Sequence, residues 1–494
     1  MSGFGSVTTG AWPVDAVRAA EAVLLAELPE GALMRRAATG LARRCAELLK
    51  DGRGGVYGAH VVVLAGAGNN GGDALIAGGI LARRGAFVEA LTVRGGHVGG
   101  LAELREAGGR VHASGYGEDY GRITTADLVV DGLVGIGGKG ELRPEAAALA
   151  EAAARARASG AVVVAVDVPS GIDSDTGEVP GPAVAADVTV TFGCLKPGLL
   201  VGAGAQHAGL VELVDIGLGP HLADPPLARL VTLAAAAEHW PRPRASDDKY
   251  TRGVLGIAAG SATYPGSAVL ATGGALAGPA GYVRYAGAAA DAVRARHPEV
   301  VCTDSTREAG RVQAWVAGSG LGTDIEAEET VRNILATDLP VLLDADAITL
   351  AAQHPEWLRG RAAPTLLTPH EREFARIAGP VGPDRVGDVL RAARTFDATF
   401  LLKGDRTIVA GPHSPTAYVS ASGTPDLGTA GSGDVLSGLA GSLLAAGVPA
   451  LEAGAFAAFA HGLAGRIAAA DGPVSASTVV AALRPAVRTV LGSP

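Results

Sequence analysis

The chain is built on short runs that are apolar at nearly every position, not at every second one. HVVVLAG (60–66), AFVEALTV (86–93), DLVVDGLVG (127–135), AVVVAVDVPSG (161–171), DVTVTFG (187–193) and LVELVDIG (210–217) succeed one another through the first half. A strand with one wet face alternates; a strand apolar throughout is covered on both faces, as in a parallel sheet flanked by helices. Helical stretches of about ten to fifteen residues separate most of the runs, the length that a crossover between parallel strands requires. Leu24 to Lys50 is expected to be helical, with apolar positions at helical spacing in LMRRAATGLARRCAELLK.

A second alternation begins at GVLGIAAGS (253–261). It continues through VQAWVAGSG, LPVLLDADAI, APTLLTPHE, TFLLKGDRTIVAG and AYVSASG, and ends in an Ala/Gly-rich helical region from Gly431. The halves share no motif, so two unlike α/β domains are expected. Proline-rich segments, GPHLADPPLARL and WPRPRAS, mark the join. The expected boundaries are 1–222, a linker over 223–245, and 246–494.

Composition excludes several classes. At 494 residues, with 48% hydrophobic and only 4% aromatic side chains, closely packed helices on sheets fit better than aromatic-rich sandwiches. A net charge of −9 leaves no basic footprint for nucleic acid. Cys45, Cys194 and Cys302 lie far apart with no CxxC, so neither a disulfide framework nor a thiolate zinc site is indicated. MSGFGSVTTGAWPVDAVRAAE does not read as a signal peptide. The uncharged run from Val435 to Leu451 contains Gly, Ser and Pro449 and reads as a buried helix with its loop, not a membrane span. A soluble cytoplasmic protein is expected. Only five of the 41 basic side chains are lysine (Lys50, Lys139, Lys196, Lys249, Lys403), and four fall in Gly-rich or Asp-rich stretches. A retained compact ammonium invites a chemical reason.

GAGNNGGDA (66–74) satisfies G-x-G-x-x-G after a strand, a dinucleotide-binding fingerprint if taken literally. Amide and carboxylate side chains at the tip would crowd a pyrophosphate and suit a cation or a ribose better. Glu89 is in the register of a ribose acid, but its apolar neighbours make it an edge residue instead. Ligands in open α/β sheets bind beyond the carboxyl ends of strands. The polar loops 68–73, 131–140 and 167–177 are therefore expected to converge. Asp131 and Asp167 each follow β-branched runs. They are either turn formers or, with Ser170 and Asn70, oxygen ligands of an alkali-metal ion, with one carboxylate free as a base.

In the second half GTAGSGDVLSG (428–438) combines a Gly/Ser turn, Asp434 and an immediate helix. It is either an anion site with a base at a helix start or an ordinary helix N-terminus. LLKGDRT (401–407) suits a nucleotide phosphate or is a plain hairpin turn. His370 in LTPHERE (367–373) is a helix cap or a ligand. GSATYPGSA (260–268) and AGSGLGTD (317–324) are further Gly-rich strand ends. No GxxxxGK[ST] occurs.

These series carry a resemblance. GAGNNGGDA, VDGLVGIGGKGELRP, VDVPSGIDSDTGEV and TVTFGCLKPGLL, in order over roughly residues 15–218, resemble the NAD(P)H-hydrate epimerase domain. DKYTRG, AGSATYPGSA, GSGLGTD, LLDADAI, LTPHEREF, LLKGDRT and GTAGSGDVLSG, over roughly 235–490, resemble the ADP-dependent NAD(P)H-hydrate dehydratase of the ribokinase-like superfamily. The implied folds are an N-terminal Rossmann-like doubly wound sheet and a C-terminal ribokinase-like α/β domain.

The resemblance implies a bifunctional isomerase and lyase that interconverts R and S hydrates and restores the S form to NAD(P)H with ADP. It places potassium on Asn70, Asp131 and Ser170. It places the hydrate on Asn69, Asn70, Gly71, Gly72, Asp73, Gly135, Ile136, Gly137, Gly138, Lys139, Gly140, Glu141 and Asp167, with Asp167 as the base. In the second domain the hydrate would meet Ala268, Gly320, His370 and Asp434, with Asp434 as the base. ADP, with magnesium, would meet Lys403, Gly404, Asp405, Arg406, Thr407 and Gly433. Ala74 and Asp248 depart from the usual Gly and His. The implied partners are the hydrate and ADP, with no nucleic acid and no membrane, and a homo-oligomer is expected. The alternatives are a dehydrogenase using the opening fingerprint, and a small-metabolite kinase carrying an N-terminal nucleotide-binding module.

Overall fold

The computed structural model describes residues 9–114, 119–223 and 225–492. The first eight residues of the segment read for a signal peptide, and Asp224 of the expected linker, lie outside the described residues. The chain divides into two compact units between Leu227 and Ala228. The stretch 223–245 is not a bare linker. Ala228–Leu230 forms a strand parallel to Ala417–Ser420, and Leu233–His239 is a helix. Pro225, Pro226, Pro241 and Pro243 flank these elements without entering them.

In the first unit the helical stretch around Leu24–Lys50 is two helices, α1 (Val14–Glu27) and α2 (Ala32–Arg53). Pro29 and the left-handed Gly31 break them, although apolar spacing runs on through the break. On α2, Leu33, Ala37, Leu41, Cys45 and Leu49 recur every fourth residue and are buried.

The strands are β1 (His60–Ala65), β2 (Phe87–Thr92), β3 (Arg110–Ala113), β4 (Leu128–Gly132), β5 (Val162–Val166), β6 (Val188–Phe192) and β7 (Leu210–Val214). They form a seven-stranded parallel sheet in the order β3-β2-β1-β4-β5-β6-β7. Alternate residues enter two cores. Val61, Val63, Ala65, Val130, Val164 and Val166 join one, while Val62, Leu64, Val129, Val163 and Ala165 join the other. The uniformly apolar runs thus have their reason in two-sided burial. The chain leaves β1 toward β2 and β3, then returns to place β4 on the other side. That reversal opens a crevice beyond the carboxyl ends of β1 and β4.

The second unit carries β8 (Ala228–Leu230), β9 (Val254–Ala258), β10 (Tyr282–Ala286), β11 (Val301–Thr303), β12 (Ala314–Ala317), β13 (Val341–Leu343), β14 (Thr365–Leu367), β15 (Thr399–Leu402), β16 (Thr407–Ala410) and β17 (Ala417–Ser420). Their order is β8-β17-β16-β15-β14-β13-β12-β9-β10-β11, parallel except at the β15/β16 and β16/β17 pairs. The reversal here falls between β9 and β12.

Helices Pro265–Leu276 and Ser432–Ala445 cross at backbone contact. A Cβ on Gly438 would lie 1.9 Å from the Ala271 carbonyl oxygen, and one on Gly274 would lie 2.1 Å from that of Val435. The Ala/Gly-rich composition is what permits this approach. Among the described residues no single helix is long and apolar enough to cross a membrane.

Candidate functional site

Beyond β1 the chain enters helix α3 (Asn69–Arg83) after only Gly66–Gly68, with Gly68 at the N-cap. Asn69–Asp73 are therefore the first turns of a helix, not the tip of a loop as expected. The glycines serve close packing. A Cβ on Gly66 would sit 2.1 Å from the Leu133 oxygen, and one on Gly71 would sit 2.0 Å from the Gly66 oxygen. One on Gly132 would meet Ala74 Cβ at 2.5 Å. The fingerprint holds α3 against the ends of β1 and β4, which turns the Asn and Asp side chains toward the crevice. There a cavity of about 620 Å³ is lined by Asn69, Asn70, Gly71, Asp73, Gly135–Gly138 and Asp167, with Arg18 and Glu21 from α1.

Against this cavity lies a cluster of oxygen atoms. Asp131, wholly buried in β4, accepts from Ser170 Oγ at 2.7 Å and Ser170 N at 2.8 Å, and from Leu133 N at 3.2 Å. Ser170 Oγ also accepts from Val134 N at 2.9 Å, and Asn70 Nδ2 donates to the Val134 oxygen at 3.3 Å. Among the described residues no cationic side chain contacts Asp131, and burial pushes its carboxyl up to about 6. One carboxylate with hydroxyl, amide and backbone oxygens is a hard donor set. The three residues expected to share an alkali-metal ion are thus brought together.

Asp167 is the first residue past β5, in left-handed backbone at φ +63°. Its Oδ1 accepts from Lys196 Nζ at 2.5 Å, Thr191 Oγ1 at 2.9 Å and Phe192 N at 3.2 Å. Lys196 is 1% exposed and also donates to Thr191 Oγ1 and the Phe192 carbonyl. Asp73 is 8% exposed, and its Oδ1 is buried without a hydrogen-bond partner. Burial, then Asp167 and Glu21, raise its carboxyl well above the usual range. Burial followed by Asp167 raises Glu21 as well. Cys194, buried two residues from Lys196, has its thiol pushed up to about 11 by burial.

Lys196 was singled out in the sequence only by the rarity of lysine. Glu21 and Arg18 sit on a helix with no motif and gave no signal. Lys139, Gly140 and Glu141 are exposed and do not line the cavity; Glu141 packs beside Gly181. Glu89 is not on an edge strand, since β2 lies between β1 and β3. His60, His112 and Arg122 hold its carboxylate inside the sheet region. Burial opposes its ionisation, but His60, Arg122 and His112 outweigh that and lower it. Glu89 is therefore not free to act as a ribose acid for the fingerprint.

In the second unit Lys403, at the end of β15, places Nζ 2.8 Å from Asp344 Oδ1 and 3.8 Å from the Glu373 carboxylate. Asp344, 1% exposed, accepts at Oδ2 from Ser437 Oγ at 2.8 Å and Ser319 Oγ at 3.1 Å. Burial works against its charge, yet Lys403 and the hydroxyls lower its carboxyl. Asp434 lies in the first turn of Ser432–Ala445, behind the left-handed Gly431. Burial and then Asp344 push it up to about 6, while Ser267, Ser319 and Lys403 pull the other way. A Cβ on Gly433 would lie 3.3 Å from Lys403 Nζ, and one on Gly320 would lie 2.8 Å from Ser267 Oγ. Lys403, Gly433 and Asp434 therefore meet, with Gly320 and Ala268 on the neighbouring strand end and helix.

His370 is a helix cap. Its Nδ1 accepts from Arg372 N at 3.1 Å and Glu373 N at 3.2 Å, and the Glu373 carboxylate accepts from His370 N. Gly404–Arg406 form the turn between antiparallel β15 and β16, with Thr407 opening β16. The Arg406 guanidinium turns to the Ala421 carbonyl. Sequence reading assigned nothing to Asp344 or Glu373, although LLDADAI and LTPHEREF contain them.

Residues 30–198 match a family described as YjeF-related protein N-terminus, and residues 255–483 one described as NAD(P)H-hydrate dehydratase. The chain is 51% identical over 486 residues to the bifunctional NAD(P)H-hydrate repair enzyme Nnr of Mycobacterium leprae, covering 96% of this chain and 98% of that one. It is 36% identical over 456 residues to the Corynebacterium glutamicum protein of the same name, covering 78% of each. A solved structure similar to it is an ADP/ATP-dependent NAD(P)H-hydrate dehydratase from Bacillus subtilis co-crystallized with ATP and Mg2+. That match has a TM-score of 0.47 and 24% identity, and covers 52% of this chain and 97% of that one.

Proposed function

The chain belongs to the bifunctional NAD(P)H-hydrate repair enzymes, and from that premise we propose how its two units divide the work. The enzyme epimerises the R and S hydrates and dehydrates the S form to NAD(P)H, using ADP and giving AMP and phosphate. Epimerisation belongs to the first unit and dehydration to the second. What supports this division is the pair of family matches, residues 30–198 in the first unit and 255–483 in the second, with Asp167 ion-paired to Lys196 in one crevice and Asp434 near the Lys403–Asp344 pair in the other.

In the first unit the hydrate lies along Asn69–Asp73 and Gly135–Gly138, and Asp167 takes a proton during inversion at C6. Asn70, Asp131 and Ser170 would hold potassium, whose charge would offset the buried Asp131 carboxylate. Among the described residues Asp131 has no cationic partner, which supports that fit.

In the second unit Ala268, Gly320 and His370 flank the hydrate. Lys403–Thr407 and Gly433 hold the nucleotide, with the Ser432–Ala445 helix start offering N–H groups to its phosphates. Magnesium, carried by the nucleotide, would neutralise phosphate charge. Asp434 accepts the C6 hydroxyl proton as that oxygen takes up the phosphoryl group, and loss of phosphate from C6 with a proton from C5 restores the ring double bond. A cytoplasmic location and a homo-oligomeric state belong to the same proposal.

The test follows R- and S-hydrate consumption separately, with ADP and with ATP. S-hydrate is expected to be consumed at the second site alone, and R-hydrate only when both sites act. If neither epimer yields NAD(P)H with either nucleotide, the proposal fails.

A further inference from the structure

Inverting a carbon requires chemistry at both of its faces, and one carboxylate serves one face. The cavity of the first unit offers a second carboxyl from a different element: Asp73 on α3, beside Asp167 at the end of β5. We propose that Asp73 is the acid of this site, giving its proton to the C6 hydroxyl as that group leaves, while the Asp167 carboxylate backed by Lys196 activates the water that replaces it. This rests on the reading that the first unit inverts the hydrate.

The two carboxyls have opposite surroundings. Asp167 has an ammonium on Oδ1 at 2.5 Å and two further donors. Asp73 has an unpartnered buried Oδ1 and, facing it, the carboxyls of Asp167 and Glu21. Burial, then Asp167 and Glu21, raise its carboxyl, which favours its protonated form. Glu21 is a poorer acid candidate because Lys196 and Arg18 act on it in the opposite sense. The other titratable group near this turn is His97, beside Gly72, whose Nδ1 already accepts from Gly100 N.

The step balances. The C6–O bond breaks, its electron pair leaves with the protonated oxygen as water, and the N1 lone pair forms N1=C6. Water then adds to C6 from the other face, N1 recovers its electron pair, and Asp167 takes the proton. Asp73 ends as carboxylate and Asp167 as acid, which is the arrangement that runs the reverse inversion. Proton exchange between them through solvent resets the pair.

The experiment uses the full chain without nucleotide, following R/S exchange in ¹⁸O water. One ¹⁸O is expected at C6 for each inversion. Asp73→Asn is expected to lower kcat by ~10²–10⁴-fold with little change in KM, since the amide still donates a hydrogen bond. It should also remove the alkaline limb of the kcat profile, and Asp73→Glu should recover part of the rate. Inversion without label, or Asp73→Asn raising KM with kcat intact, overturns the proposal. If Asp73→Asn lowers the unfolding temperature, the label and the wild-type pH profile still decide. Absence of any inversion by the unaltered protein overturns the underlying reading as well, and is thereby distinguished.

Discussion

Lys196 and Lys403 each stand against a buried carboxylate, Asp167 and Asp344. Removing one partner of such a pair leaves an uncompensated charge. Lys196→Met is expected to destabilise the first unit by about 3–5 kcal/mol, read by urea unfolding. Lys196→Arg is not expected to rescue it, because the ammonium is enclosed by Thr191, Phe192 and Asp167 and a planar fork does not fit. For Asp434, raised from 3.8 to about 6, the sign is set by its role. A base must be deprotonated, so dehydration should fall as pH drops through about 6. Asp434→Ala should abolish nucleotide-dependent recovery of NAD(P)H absorbance from S-hydrate while R/S exchange survives. Asp131, Ser170, Asp167 and Asp434 were legible because strand ends and helix starts point to them locally. Lys196 was not, because its partner lies 29 residues away and only the sheet order joins them.

At the scale of elements the glycine motif carries the lesson. G-x-G-x-x-G fits a phosphate loop and the first turns of a tightly docked helix equally well, and only tertiary contact separates them. Gly71→Ala, whose Cβ would meet the Gly66 oxygen at 2.0 Å, must displace α3. The expected cost is ~1–3 kcal/mol with loss of R/S exchange, and S-hydrate dehydration should persist. Most strands were legible from their unbroken apolar runs, but Arg110–Ala113, Tyr282–Ala286 and Val301–Thr303, short or interrupted by polar side chains, were not. The break between α1 and α2 was not, because apolar spacing continues across Pro29 and Gly31. Nor was the strand Ala228–Leu230, three residues long, whose pairing partner lies near the other end of the unit's sequence.

For the whole molecule, two unlike α/β units were legible from two alternations without shared motifs. The residues that complete each site were not assigned from the sequence: Glu21 lies on a helix without a motif, and Asp344 lies inside LLDADAI, whose partner Lys403 is 59 residues away. Since S-hydrate is product of one unit and substrate of the other, the sites can work on separate molecules. A chain with Asp167→Asn and a chain with Asp434→Ala should each fail to consume R-hydrate, and a mixture of the two should consume it. Failure of the mixture, with S-hydrate still processed by the first chain, would count against free transfer of the intermediate.

Cys194 gives the first site a built-in clock. The thiol is fully buried, its ionisation is suppressed to about 11, and it stands two residues from the lysine that backs Asp167. Alkylation of such a group waits for the surrounding wall to breathe, so its rate counts openings of that wall and not intrinsic thiol reactivity. Cys45, pushed to about 12 on the buried face of α2, keeps the same kind of time for the core behind it. The ratio of the two rates separates loosening of the site from loosening of the fold.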